Sequence, residues 1–357
     1  MREQRQKDAV RAYINSDGKS IIYAAPRFGK IKVAIDIMKE KKYSNPLIVA
    51  PRKDIKVGWT DDLKKWGYSG VMTFCTFASI KKMVGTGYLY DILIIDEPHE
   101  LSANQQSLLK PLVDNLPTLG LTGTMTNKTA NELYDTLGLD TCYKYTIDQA
   151  VREGILADYD IFIHRVSLDN RRYVYSSSKG KKYTEKGYFD LFMFVRQRAK
   201  MKHFIDMKLI NIIQNSHAKL EKTKQLLEQF TRDRILVFCG TTKTADNLGI
   251  PVYHSKSKET EIFSSFCKGI NYDQLATIKM MQAGITISPI HKGILNYTSG
   301  NPEDCAQKIC RFLGFEYANP DKKAELHIIS SNELFEIDRL KTALLFFDQT
   351  KIQICVY

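Results

Sequence analysis

Short apolar runs rich in β-branched residues alternate with longer amphipathic stretches along this chain, and the alternation occurs in two series. In the first, the runs fall at 20–24, 47–50, 71–76, 92–95 and 118–121; in the second, at 159–166, 235–238, 252–254, 275–278, 293–295 and 326–329. Helical spacing fills the gaps, as at 33–41, 104–112 and 203–230. Strands that are apolar end to end are buried on both faces, and strands separated by helices pair in parallel through crossovers. The expectation is an α/β fold made twice over, with two mostly parallel sheets, each flanked by helices. A chain of 357 residues is long enough for two such domains with separate cores. No Pro- or Gly-rich linker marks the change, which the pattern puts near 156–158, giving domains 1–158 and 159–357. Residues 167–202 are polar, rich in Tyr, Lys and Arg, and read as an excursion from the second domain. Such a stretch can stack on bases or grip phosphates, and it is equally the composition of a solvated loop.

Composition narrows the function classes. The charged residues interrupt every apolar run before it reaches the ~20 residues of a membrane helix, so no membrane partner is expected. Residues 1–14 are charged throughout and lack the apolar core of a secretory leader, which implies a cytoplasmic protein. Cys75, Cys142, Cys239, Cys267, Cys305, Cys310 and Cys355 form no CxxC pair and read as reduced, mostly buried thiols. Cys305 and Cys310 lie close together, but no second ligand pair accompanies them. A net charge of +12 draws phosphate-bearing partners through its long-range field, and is also what a merely basic surface carries. Motifs must decide between these.

Ile21-Ile22-Tyr23-Ala24-Ala25-Pro26-Arg27-Phe28-Gly29-Lys30-Ile31 runs an apolar strand into a tight turn and then a helix. A phosphate loop needs that context: backbone N–H groups at the turn and helix start face the phosphates, and a lysine adds a point charge. Lys30 is the candidate. A full phosphate loop has glycine where Ala24 stands and a magnesium-binding hydroxyl where Ile31 stands, and a Gly-Lys pair after a strand is also an ordinary turn. A second site is therefore required. Ile92-Leu93-Ile94-Ile95-Asp96-Glu97-Pro98-His99 supplies it, because an apolar strand ends there on two adjacent carboxylates. Asp96 can serve a magnesium ion that bridges phosphates, and Glu97 can polarise the attacking water. The bland reading is a strand ending in solvated acids.

With these two sites in order, the chain resembles superfamily 2 helicases and translocases, Asp96-Glu97-Pro98-His99 matching their DExH box. Leu121-Thr122-Gly123-Thr124 looks like the third motif, Gln6 is similar to the glutamine that reads adenine, and Val49-Ala50-Pro51-Arg52 resembles the backbone-contacting motif after the second strand. In the second half, Ile235 through Thr242 resembles the fourth motif. Tyr253-His254-Ser255 falls where the family has a short strand ending in His. Gly284-Ile285-Thr286 resembles the fifth motif, and Gln307 through Gly314 the sixth. The run 150–159 looks like the junction in restriction-enzyme motor subunits and phage UvsW-like helicases.

The resemblance implies two tandem RecA-like domains with a nucleotide cleft between them, ATP and Mg2+ as cofactors, and a nucleic-acid partner, DNA before RNA. It implies catalytic roles for Lys30, Asp96, Glu97, Gln307 and Arg311. Nucleotide contacts fall to Gln6, Pro26, Arg27, Phe28, Gly29, Lys30, Ile31 and Gly284, with Asp96 on the metal. Nucleic-acid contacts fall to Arg52, Lys53, Thr76, Thr242, Lys243 and Thr286, and coupling to Thr122 and Thr124. It further implies a monomer, with a partner protein as an option, working on branched or duplex DNA in recombination, repair or replication, in the host cytoplasm if phage-encoded. An RNA helicase and a weakly hydrolysing nucleotide-dependent binding module are the competing readings. Two departures bear on rate: Ile31 replaces the hydroxyl, and Gly314 stands where the sixth motif usually has a second arginine.

Overall fold

The computed structural model describes residues 1–84, 89–176, 180–231, 233–254, 260–278, 290, 292–298, 301–314 and 322–356. They form two units, Met1–Leu156 and a second that begins at Ala157.

The first unit holds strands β1 (Lys19–Ala24), β2 (Pro46–Ala50), β3 (Thr73–Thr76), β4 (Ile92–Asp96), β5 (Thr118–Thr122) and β6 (Asp140–Tyr145). They make a six-stranded sheet in the order β3-β2-β4-β5-β1-β6, and every neighbouring pair is parallel. Every residue of β2, β4 and β5 is buried, which is why β2 and β4 read as near-continuous apolar runs rather than as alternation. Helices cover the sheet. Helix Ala103–Asn115 starts at a capping box in which the Ser102 side chain accepts from the Gln105 amide and the Gln105 side chain accepts from the Ser102 amide. It buries Leu109 and Val113 against Leu93, Ile95 and Leu133. Trimming a fully buried leucine of this kind to alanine costs about 2–5 kcal/mol. Helix Asn127–Leu137 starts on the Thr126 hydroxyl and stops at Gly138, whose φ of 71° suits a residue without Cβ.

The second unit holds β7 (Asp158–Val166), a hairpin of β8 (Tyr173–Ser176) and β9 (Lys182–Thr184), then β10 (Ile235–Cys239), β11 (Val252–Tyr253), β12 (Gln274–Ile278), β13 (Lys292–Leu295), β14 (Lys323–Ser331) and β15 (Ile352–Val356). Apart from the antiparallel hairpin, these form a seven-stranded sheet in the order β11-β12-β10-β13-β14-β7-β15, again parallel throughout. The two parallel sheets expected from the apolar runs are therefore present.

Several expectations are corrected. The stretch 71–76 is a strand only from Thr73, because Val71 is 74% exposed. The single helix expected over 203–230 is two, His203–Gln214 and His217–Gln229. The break has a physical cause: the buried Glu185 carboxylate accepts from Ser216 Oγ at 3.1 Å and from the His217 amide at 2.8 Å, so the second helix begins on a side chain instead of on the preceding turn. The excursion 167–202 has secondary structure of its own. It carries the hairpin and helix Glu185–Arg198, which seats Phe189 against Leu209, Ile212 and Ile213. Three elements had no apolar run to announce them: β6, the hairpin and β15, each only partly buried. A buried ion pair, Lys219 Nζ to Glu336 Oε1 at 2.5 Å, ties two helices of this unit, and Thr298 Oγ1 and the Ser331 amide also bond Glu336. Among the described residues no helix is long and apolar enough to cross a membrane, and all seven cysteines are free.

Candidate nucleotide site

β1 delivers the chain to a turn that its neighbours hold in place. The Ala25 amide donates to Tyr145 O at 2.9 Å, and the Phe28 amide to Ala25 O at 3.2 Å. Phe28 is fully buried, its ring 5.1 Å from that of Tyr145 and 6.1 Å from that of Tyr143. Its carbonyl accepts from Gln6 Nε2 at 2.7 Å and from Arg2 Nε at 3.2 Å. Arg27 and Gly29 both have left-handed backbone, φ 64° and 91°. At Gly29 this is reinforced by space, since a Cβ there would lie 2.6 Å from Gln6 Nε2. Gly29 is also the N-cap of helix Lys30–Glu40 and provides no capping side chain. The helix start thus keeps the open amides that bind anions.

β4 delivers the carboxylates. Asp96 is buried, and its Oδ2 accepts from Trp59 Nε1 at 2.9 Å, while Oδ1 has no hydrogen bond to a described residue. Burial first, and the neighbouring Glu97 charge second, push the Asp96 carboxyl up to about 6. Glu97 sits at φ 55° just past the strand, its amide bonded to Leu121 O of β5 at 2.8 Å. Its carboxylate is 3.6 Å from Lys30 Nζ, 3.4 Å from His99 Nδ1 and 3.3 Å from the Gly123 amide. Burial opposes ionisation of Glu97, but Lys30, His99, the Thr122 hydroxyl and the Gly123 amide outweigh it and hold the group below the usual carboxylate range. Two adjacent carboxyls are thereby pushed in opposite directions, the arrangement that separates a proton acceptor from its neighbour.

Thr122 and Thr124 are fully buried. Thr122 Oγ1 donates to Thr124 O at 2.8 Å and lies 2.9 Å from His99 Nδ1. A Cβ on Gly123 would sit 3.0 Å from Lys30 Nζ. Lys30, Glu97, His99, Thr122 and Gly123 are thus one contiguous set at the C-terminal ends of β1, β4 and β5, where open parallel sheets bind ligands. Pro26 and Ile31 flank it, both half-buried, and Ile31 offers no oxygen.

The remaining candidates fall elsewhere. Arg52 and Lys53 follow β2 and are exposed, Arg52 Nε lying 3.5 Å from Asp54. Thr76 ends β3 and is buried, its hydroxyl 2.8 Å from Ser79 Oγ. Thr242 and Lys243 are exposed on a short helix after β10. Gln307 lies on helix Pro302–Cys310 with its buried Nε2 unpartnered, and Arg311 follows at that helix's C-cap. Gly284, Thr286 and Ser255 lie outside the described residues. Sequence reasoning missed Trp59 and Arg2. Trp59 shares an apolar stripe with Ile55 and Leu63 on helix Ile55–Lys65, which signals burial but not a bond to Asp96.

No family model matches the chain. It is 25% identical over 345 residues to the DNA 3'-5' translocase XPB2 of Sulfurisphaera tokodaii, covering 86% of this chain and 77% of that protein. Among solved structures, the type ISP restriction-modification enzyme LlaBIII bound to DNA aligns over 99% of this chain with a TM-score of 0.64 and 13% identity. The chain spans only 31% of that enzyme's length. Dbp5 of S. cerevisiae, bound to RNA and ADP BeF3, gives 0.61 at 11% identity, covering 99% of this chain and 89% of Dbp5. A fragment described as an HsdR subunit of a type I restriction enzyme from Vibrio vulnificus gives 0.62 at 15%, covering 99% and 68%. At these identities the structural likeness speaks for fold, and the fold is that of tandem RecA-like helicase domains. The resemblance to superfamily 2 helicases and translocases is met in both sequence and fold.

Proposed function

We propose that the chain is an ATP-hydrolysing translocase or helicase acting on nucleic acid, with DNA as its track. The observation that carries this reading is the contiguous set of Lys30, Glu97, His99, Thr122 and Gly123 beside an uncapped helix start. Similarity to a DNA translocase, and in fold to a DNA-bound restriction enzyme, favours DNA; the fold is shared with an RNA-bound protein, so RNA is the competing substrate.

In this reading the triphosphate enters at the amides of helix Lys30–Glu40 and takes Lys30 from Glu97. Glu97 is then free to accept a proton from water. The water oxygen bonds to the γ-phosphorus as the bond to the β-phosphate oxygen breaks, the electron pair leaves with ADP, and the proton passes through Glu97 to solvent. His99 and Thr122 would carry the change at Glu97 to Thr124. Asp96 fits a magnesium ion: Oδ1 is open, and a buried carboxyl raised to about 6 is the state a dication reverses. Magnesium would neutralise phosphate charge there, with water in the place the Ile31 side chain leaves, as its preference for retained waters allows. Gln307 and Arg311 are proposed to serve the γ-phosphate, and Arg52, Lys53, Thr76, Thr242 and Lys243 to hold nucleic-acid backbone without reading sequence. We assign its use to branched or duplex DNA.

The test is ATP turnover by the full chain with forked, duplex and single-stranded DNA and matched RNA, beside Lys30→Ala and Glu97→Gln. DNA-stimulated turnover lost in both variants is expected. Equal rates in wild type and Lys30→Ala would overturn hydrolysis, and stimulation by RNA alone would overturn the DNA assignment. Ile31 and Gly314 favour a second reading, a binding module that turns over slowly, which the absolute rate decides.

A further inference from the structure

The turn around Arg27 is held everywhere except at the Arg27 side chain. Pro26 restrains the residue before it, Phe28 behind it is buried in an aromatic cage, and two side chains grip the Phe28 carbonyl. Arg27 itself is exposed and makes no hydrogen bond or ion pair to a described residue. Its φ is 64°, left-handed backbone that a residue with a Cβ adopts at a cost and glycine adopts freely. The same turn uses glycine two residues later, at φ 91°. A strained backbone carrying an unpartnered cation at the mouth of a phosphate loop calls for a use of the side chain.

The loop's lysine is already engaged. Lys30 stands 3.6 Å from Glu97, and Ile31 brings no hydroxyl. A guanidinium presents paired N–H donors that match two phosphate oxygens, which an ammonium cannot do.

We propose that Arg27 contacts the γ-phosphoryl oxygens of ATP and stabilises the negative charge that builds on them during transfer, an arginine supplied by the phosphate loop itself. The proposal rests on the ATPase reading above. Arg27 forms and breaks no covalent bond: water adds to the γ-phosphorus, ADP leaves with the bonding pair, Glu97 relays the proton, and nothing is oxidised or reduced.

The test measures kcat and KM for ATP, with DNA present, in wild type, Arg27→Ala, Arg27→Lys, Arg27→Gly and Lys30→Ala, together with ATP and ADP binding and thermal midpoints. A donor that acts on developing charge is worth ~10²-fold or more in rate. Arg27→Ala and Arg27→Gly should lose that much in kcat with KM within a few-fold, and Arg27→Lys should lose less. Arg27→Gly should melt no lower than wild type, since it relieves the backbone, which separates lost chemistry from lost folding. Added guanidinium ion should restore part of the Arg27→Ala rate and none of the Lys30→Ala rate. Wild-type kcat in either Arg27→Ala or Arg27→Gly overturns the proposal. If wild type turns over no faster than Lys30→Ala, the hydrolysis reading fails, and binding then decides Arg27. A preference for ATP over ADP that Arg27→Ala loses supports the contact; a preference it keeps, or no ATP binding by wild type, overturns it.

Discussion

Replacing Trp59 with Phe removes one donor from the most deeply placed carboxylate of the site while keeping most of the ring's volume. The Trp59 Nε1 to Asp96 Oδ2 bond is 2.9 Å long and buried, and it opposes the burial and the Glu97 charge that raise Asp96 to about 6. A hydrogen bond contributes about 1.5–3 kcal/mol to a charged group and about 1 kcal/mol to a neutral one, and one pKa unit corresponds to about 1.4 kcal/mol, so the difference lost should raise Asp96 by about 0.5–1.5 units. The folded-state value already exceeds the ordinary carboxylate value, so the folded chain binds this proton more tightly than the unfolded chain. Stability from this group grows as pH falls from about 6 toward 4 and is absent well above 6. In Trp59→Phe the window opens at higher pH. Urea unfolding at pH 5 and pH 8 measures the difference. At pH 5 the carboxyl is mostly neutral, and the substitution should cost about 1 kcal/mol; at pH 8 it should cost about 1.5–3 kcal/mol in total. A loss of equal size at both pH values would show that the bond does not discriminate the charged state of Asp96 and would refute the raised carboxyl. Under the ATPase reading, the acid limb of kcat/KM moves upward by the same number of units.

Gly29→Ala forces a Cβ to within 2.6 Å of Gln6 Nε2 at a φ of 91°; it should lower the thermal midpoint by a few degrees and weaken ATP binding, both read by thermal shift with and without nucleotide. His164 and His327, 2.9 Å apart in neighbouring strands, are lowered by burial to about 4 and about 3. Unfolding lets both take up protons below pH 6.5, so stability should fall on acidification through that range by up to about 1.4 kcal/mol per pH unit for each, Asp96 offsetting one of the two between 6 and 4. His327→Phe should flatten the decline, which pH-dependent urea midpoints will report. Lys219→Met leaves Glu336 as an unpaired buried charge and should cost about 3–5 kcal/mol, whereas Lys219→Met with Glu336→Leu should recover much of that in a two-variant cycle by urea unfolding.

Where burial on both faces writes a near-continuous apolar run, as in β2, β4 and β10, the strand was legible from sequence. At sheet edges the run disappears. Among the described residues β6 pairs only with β1, and it is exposed or half-buried at five of its six positions; β15 likewise pairs only with β7, so neither carries the signal. The helix at 203–230 misled because its apolar spacing continues across Asn215 and Ser216; what breaks it is Glu185, a residue distant in sequence whose carboxylate replaces the missing helical acceptors. In the candidate site, the places of Lys30, Asp96 and Glu97 were legible because turn and strand-end chemistry is local. Trp59 and Arg2 were not, because each reaches the site from another helix through a single bond.

β7 is the first strand of its unit in sequence, yet its two neighbours in the sheet are β14 and β15, the last two. During synthesis the first unit can complete its sheet soon after β6 emerges. The second must keep a nine-residue strand, with Tyr159, Ile161, Phe162 and Ile163 at its centre, without either partner until most of its remaining sequence has left the ribosome. That interval is where this protein is most exposed to aggregation, and the burden of reaching the folded state falls on the rate at which β14 and β15 find β7.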